Sequence, residues 1–249
     1  MQRGLYIAAS GMTSAMVRQD VIASNLANVS TVGFKADRVV NETFADSLLY
    51  SMKGGEPTPM GTMNYGTRVA GTITDFAQGS FRPTEQALDL ALGGDGFFSI
   101  QMQDGTVAYT RNGQFTRSAD GFLTTQTGEF VLGPDKLPVF AGESGDPVIR
   151  ADGRVAARDG TLLGQISVVT LDVTGARKVG QNLWVGAETG GMPQSTQVRQ
   201  GYVEASGVNS VKEMVEMINT MRSYESSQRI ITSIDGTLDK AVNSVGVLG

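Results

Sequence analysis

Apolar side chains recur at alternating intervals of four and three residues near both ends of this chain, and the pattern changes between them. Near the start, Leu5, Ala9, Met12, Met16, Gln19, Ala23 and Leu26 form a seam running over three heptads. Ala8, Ala15 and Ile22 widen its apolar face, and the small residues there let a second helix come close. Near the end, Met214, Met217, Met221, Tyr224, Gln228, Ile231, Asp235, Leu238, Val242 and Val245 repeat the device at greater length. Val211, Val215 and Ile218 add a second row at the beginning of that helix. At 1.5 Å per residue this helix is expected to be on the order of 50 Å long, with Gly236 weakening its last turns by roughly 1 kcal/mol. Such a helix is marginal alone, so both ends are expected to form coiled coils whose folding is coupled to assembly.

Between the ends the spacing shortens to runs suited to strands. Residues 89–133, DLALGGDGFFSIQMQDGTVAYTRNGQFTRSADGFLTTQTGEFVLG, are punctuated by Gly94, Asp95-Gly96, Asp104-Gly105, Asn112-Gly113, Asp120-Gly121 and Gly128. Asp-Gly and Asn-Gly steps supply the positive φ angles that tight hairpin turns require. GQISVVTLDVTGARKVGQNLWVG, residues 164–186, continues the strands. The expected class is α+β, with N- and C-terminal coiled-coil-forming helices flanking a central antiparallel β domain. Four segments follow: an N-terminal helix and loop over 1–34, a connector or extended arm over 35–75, the β domain over 76–205 and the C-terminal helix over 206–249. Within the second, residues 51–68 have no period and carry two prolines and four glycines, and read as a loose connector.

Composition removes most catalytic chemistry. The chain has no cysteine and no histidine, which excludes disulfides, the usual zinc sites and any catalysis built on Ser-His-Asp or Cys-His. A net charge of −5 lacks the basic footprint of a nucleic-acid partner. No run approaches the roughly 20 apolar residues of a membrane span, so no membrane insertion is expected. After Arg3 the longest apolar run, Leu5 to Ala9, is too short for the core of a secretory signal. Of the carboxylates in the β region, Asp89, Asp95, Asp104 and Glu129 have the chemistry to flank a glycosidic bond, but Asp95 and Asp104 precede glycines and read as turn residues. GGDG at 93–96 lacks the Lys-Ser/Thr of a phosphate-binding loop. No catalytic, cofactor or metal site and no small-molecule substrate is expected.

The first helical pattern ends in ASNLANVSTVGFK, residues 23–35, with more hydrogen-bonding capacity than a helix stop requires. Asn25 and Asn28 lie three apart on one face. Ser30 and Thr31 can satisfy terminal backbone groups, Gly33 permits a reversal and Phe34 can anchor the chain beyond it. From the residues alone, a local cap with a core phenylalanine and a joint with a neighbouring subunit stand level.

Three separate motifs resemble those of the bacterial flagellar axial proteins, the rod, hook and hook-associated subunits. GLYIAASGM and QDVIASNLANVSTVGFK, within residues 4–35, resemble the N-terminal motif. FAQGSFRPTEQALDLALGGDGFFSI (76–100) and YTRNGQF (109–115) resemble the central pattern, and QGYVEASGVNSVKEMVEMINTMRSYESSQRIITSID (200–235) the C-terminal one. Gly207 departs from the family, which usually has asparagine there; both residues tolerate left-handed backbone. The resemblance implies a structural subunit, not an enzyme, whose terminal helices pack into the inner tube of a hollow rod crossing the periplasm, with the β domain outside. Length and the lack of a large extra domain favour a rod over a hook subunit, and the short connector favours the proximal-rod FlgF type over the distal-rod type.

Implied partners are other rod subunits, like and unlike, and the flagellar type III export apparatus. No cofactor is implied. The implied interface comprises Leu5, Met12, Met16, Ile22 and Leu26 on the first helix and Met214, Met217, Ile218, Met221, Tyr224, Gln228, Ile231 and Leu238 on the last. Asn25, Asn28, Gly33, Phe34 and Asn209 complete it, and the resemblance favours the intersubunit joint for the stretch 23–35. Two other classes are compatible with the residues: a secreted β-domain binding module, and a cell-wall hydrolase using Asp89 and Glu129.

Overall fold

The computed structural model describes residues 2–44, 47–51, 58–63, 65–143, 145–180 and 182–245. It is a mixed α+β chain with a helix at each end and a strand-rich centre. Two compact units divide it. A helical unit is drawn from Met1–Ala27, Asp37–Asp75 and Asn209–Gly249, and a β unit from Asn28–Ala36 and Phe76–Val208.

In the helical unit, α1 (Gln2–Ala27) and α2 (Ser210–Lys240) pack side by side and antiparallel, with Gly4 beside Ile234 and Gly11 beside Ser227. Asn209 caps α2, its side chain accepting from Lys212 N–H at 3.1 Å, and Glu213 in the first turn complements the helix dipole. Past Lys240 the helix widens into π-helical geometry over Ala241–Val245, so Gly236 does not end it.

The packed seam is offset from the expected rows. On α2, Met217, Tyr224, Ile231 and Leu238 lie on the covered face as the spacing suggests. Their alternates are Glu213, Thr220, Ser227 and Ile234, while Met214, Met221, Gln228 and Asp235 are exposed. On α1 the covered positions include Ala8 and Ile22, with Gly4, Gly11 and Ala15 half-buried, while Ala9, Met16 and Ala23 face outward. The offset has a steric cause. A Cβ on Gly4 would stand a tight 3.2 Å from Ile234 Cδ1, while one on Gly11 would make ordinary contact with Ser227 Oγ at 3.7 Å, so there is no room at either position for a side chain as long as methionine without pushing the helices apart.

A second element also covers α1. Strands Asp37–Thr43 and Thr67–Thr74 pair antiparallel, as do Ser47–Ser51 and Thr58–Met63, each pair with one register shift. The Ser10 hydroxyl accepts from Thr67 N–H at 3.4 Å, and the Tyr6 and Phe44 rings lie 6.1 Å apart. Much of the stretch read as a loose connector is therefore a paired ribbon; its residues 52–57 and 64 lie outside the described residues. Alternation there is weak because most side chains of the strands near α1 are exposed, which hides the strand signal.

The β unit is built of antiparallel pairs. Phe97–Gln101 is central, pairing with Val107–Thr110, Phe130–Val131 and Val168–Leu171. Phe98, Ile100, Phe115, Leu123 and Val131 anchor one apolar cluster; Phe97, Tyr109, Val169, Leu171 and Trp184 form a second. Gly96, Gly105, Gly121 and Gly128 take the expected positive φ. Asn112-Gly113 does not act as a positive-φ turn. Gly113 is needed because Leu90 O would lie 1.7 Å from its Cβ, the Leu90 N–H donating to Gly113 O at 2.9 Å.

Candidate functional site

The two asparagines and Thr31 of residues 23–35 are engaged inside the chain, while Ser30 is exposed. Asn25, 1% exposed, reads the backbone of Asp37 in both directions: Nδ2 donates to Asp37 O at 2.8 Å and Oδ1 accepts from Asp37 N–H at 3.0 Å. The same amide donates to Glu213 Oε2 at 3.3 Å, so within the helical unit Asn25 ties the end of α1 to the ribbon and to the first turn of α2. Asn28 begins the other unit, accepting from Thr31 N–H and the Thr31 hydroxyl, both at 3.1 Å. Gly33 has φ +67°, and a Cβ there would stand 2.5 Å from the carbonyl carbon of Arg111. Phe34 is buried with Ala36 and Val208, and the Lys178 ammonium sits 4.3 Å from its ring centroid.

Beside Phe34 lies a buried charge cluster that sequence reading missed. Lys35 Nζ is 2.6 Å from Glu204 Oε1 and donates to Ala77 O at 2.8 Å. Arg111 Nη1 is 3.3 Å from Glu204 Oε2, its guanidinium 5.3 Å from the Phe97 ring centroid. Gly79 N–H donates to Glu204 Oε1 at 2.9 Å. None of the three charged side chains is more than 4% exposed. Burial pushes the Arg111 guanidinium below its ordinary value, and the charges of Glu204 and then Asp95 push back. One carboxylate thus serves two cations, and all three side chains are almost fully buried. Charged residues normally read as surface. The one available signal was that Lys35, Arg111 and Glu204 each sit inside a different one of the three quoted motifs.

The remaining expected interface residues divide by exposure. Ile22 is buried; Leu5, Met12, Leu26, Met217, Tyr224, Ile231 and Leu238 are half-buried along or beside the α1–α2 seam. Asn209 is engaged as the cap of α2. Met16, Met214, Ile218, Met221 and Gln228 are exposed. With Val211 and Val215, three of these make an apolar stripe along the first three turns of α2, on the side turned away from α1. Over the following turns the outward positions are mainly polar, including Arg222, Glu225, Arg229 and Ser233.

The carboxylates considered for hydrolysis are held in separate local structures. Asp104 accepts from Thr106 N–H at 2.9 Å and from its hydroxyl, which hold its carboxyl below the usual range. Glu129 accepts from the hydroxyls of Thr125 and Thr127. Asp89 is buried where its backbone carbonyl accepts from Gly201 N–H. Among the described residues no cluster of acidic side chains has the arrangement of a metal site, and no helix is long and apolar enough to cross a membrane.

Comparison with known proteins places this architecture. Residues 5–35 match the family described as flagella basal body rod protein, residues 91–167 the flagellar hook protein FlgE/F/G D1 domain, and residues 199–244 the flagellar basal body rod FlgEFG protein C-terminal region. The rod protein FlgG of Bacillus subtilis is 35% identical over 272 residues, covering 98% of this chain and 99% of its own. FlgG of Borreliella burgdorferi is 35% identical over 268 residues, covering 98% of each chain. FlgF of Rhizobium meliloti is 31% identical over 252 residues, covering 99% of each. Terminal helices around a β body, matched in three consecutive blocks, define a structural subunit of an axial assembly. The chain belongs to the flagellar basal-body rod protein family, in its FlgF/FlgG branch, whose members are part of the basal body of the flagellum. FlgG proteins dominate among these relatives.

Proposed function

We propose that this rod subunit polymerises through its terminal helices into the hollow shaft crossing the periplasm, coiled-coil contacts forming the inner tube and the β unit the outer layer. The observation that carries this is the apolar stripe Val211, Met214, Val215, Ile218 and Met221, each at least half exposed on a helix whose opposite side is already covered. Covering these five side chains would return on the order of 5 kcal/mol, a strong incentive for contact with like or unlike rod subunits. In this reading the buried residues Asn25, Asn28, Gly33 and Phe34 and the exposed helix cap Asn209 shape the chain for assembly, and Met16 and the stripe make the intersubunit contacts. Export by the flagellar type III apparatus belongs to the same proposal.

Alignment lengths support the proximal FlgF type within the family. The FlgG alignments run from 256 to 272 residues and the FlgF alignment is 252, so all exceed the 249 of this chain and introduce gaps into it, the FlgF one by the smallest margin. The FlgF alignment covers nearly all of both chains in 252. Restoration of swimming in a strain lacking its FlgF-type subunit, but not in one lacking the FlgG type, is the expected outcome; the converse result assigns the distal rod. For the interface, Ile218→Glu with Met221→Glu should abolish rod assembly while leaving the monomer's circular dichroism and unfolding midpoint unchanged. Normal rods from that variant would remove the stripe from the interface.

A further inference from the structure

Residues 28–36 are fastened into the β unit largely by groups from much later in the chain. Gly33 N–H donates to Glu204 O at 2.8 Å, Gly207 N–H donates to Phe34 O at 2.9 Å, and the Lys35 ammonium meets the Glu204 carboxylate. Asn182 Nδ2 adds a bond to Val32 O at 2.8 Å. Glu204 also meets Arg111 and accepts from Gly79 N–H, so two cations and a backbone amide converge on one carboxylate.

We infer that Glu204 is a positioning residue that makes docking of segment 28–36 conditional on the C-terminal motif. With the Glu204 charge absent, docking brings Lys35 into the same buried site as Arg111 without the anion that both contact; Asp95 still acts on Arg111 but is ion-paired with neither cation, so the arrangement is disfavoured in a low-dielectric interior. Arg111 cannot leave, because it directly follows the core strand Val107–Thr110 and is flanked by Asn112 and the sterically pinned Gly113. Lys35 can leave, because it sits near the end of a nine-residue segment that joins the rest of the β unit through tertiary contacts. The segment is therefore the part that yields. Chains emerge N-terminus first, so Lys35 and Arg111 are available long before Glu204. Residues 28–36 stay undocked until the C-terminal motif arrives, and a chain truncated before residue 204 keeps this segment free. The latch works within one chain and does not depend on how subunits assemble.

The test is amide hydrogen exchange, read by NMR on full-length protein at one pH, comparing Glu204→Gln with Lys35→Met. In Glu204→Gln the Gly33 and Gly207 amides should exchange at least about tenfold faster, with Leu123 and Leu132, which donate to Val139 O and Ser99 O in the core, unchanged. Lys35→Met leaves a balanced Arg111–Glu204 pair, so it should accelerate the same two amides less. Hydrogen bonding alone predicts the opposite order, because glutamine still offers an acceptor to Gly79 N–H and Lys35. The inference is overturned by that opposite order, by no acceleration at Gly33, or by equal acceleration at all four amides, including outright failure of Glu204→Gln to fold.

Discussion

The two units bury their side chains in different ways. In the β unit, Phe98, Ile100, Leu123 and Val155 have no exposed surface, and even the charges of Lys35, Arg111 and Glu204 are enclosed and paired. In the helical unit, Ala8 and Ile22 are the only fully buried apolar side chains among the described residues, while α2 alone exposes Val211, Met214, Val215, Ile218, Met221 and Ile230. The first unit has a core that closes on its own. The second is only partly closed: α1 is covered by α2 and in part by the ribbon, while the apolar stripe on α2 stays exposed.

Gly113 is where a single substitution should separate the two units most strongly. Replacing it with alanine puts a methyl group 1.7 Å from the Leu90 carbonyl oxygen, a backbone clash that no rotamer relieves. A loss of roughly 4 kcal/mol or more is expected, seen as collapse of the β unit's urea transition. Because the helical unit has its own contacts, helical circular dichroism should persist beyond that transition. Simultaneous loss of both signals at one denaturant concentration would mean that the helical unit borrows its stability from the β unit.

A milder change sharpens the same contrast from the other side. Asn209→Ala removes the side chain that accepts from Lys212 N–H at the start of α2, a cap worth about 1 kcal/mol. Fraying should begin at Ser210 and expose further the turns that carry Val211 and Met214. Amide exchange should quicken at Lys212 and Glu213 and stay constant at Ile100. Equal protection at Lys212 in both proteins would show that the packing of Glu213 and Met217 holds the turn without the cap.

These regions also differ in how far the sequence revealed them. The terminal helices could be read because a long 3–4 period needs no knowledge of what lies opposite. Which of two adjacent rows becomes the seam could not be read, since Gly4 and Gly11 choose it through contacts with Ile234 and Ser227 some 200 residues away. The turns at Asp104-Gly105 and Asp120-Gly121 were legible because their chemistry is local, whereas the role of Gly113 depends on Leu90 across the unit. The charge cluster was the least legible part. Its members come from positions 35, 111 and 204, and an isolated charge shows nothing of the partner that makes its burial tolerable.

The smallest expected effect concerns pH at a turn of the β unit. Burial raises the tendency of Glu129 to hold its proton, but the hydroxyls of Thr125 and Thr127 and its own backbone amide outweigh this and hold the carboxyl below its ordinary 4.5. A carboxyl lowered in the folded state favours folding while it is ionised there. Its contribution is complete above about pH 4.5 and is lost as pH falls through the folded value. NMR titration should therefore find the Glu129 side chain still ionised at a pH where an unfolded glutamate is half protonated. Thr125→Val with Thr127→Val should move that titration upward and remove the small acid-limb stability it supports. The side chain is half-buried and its hydrogen bonds are local to one turn, so the unfolding midpoint at pH 7 should move little; a large drop there would mean that the two hydroxyls hold the hairpin itself rather than tuning one carboxyl.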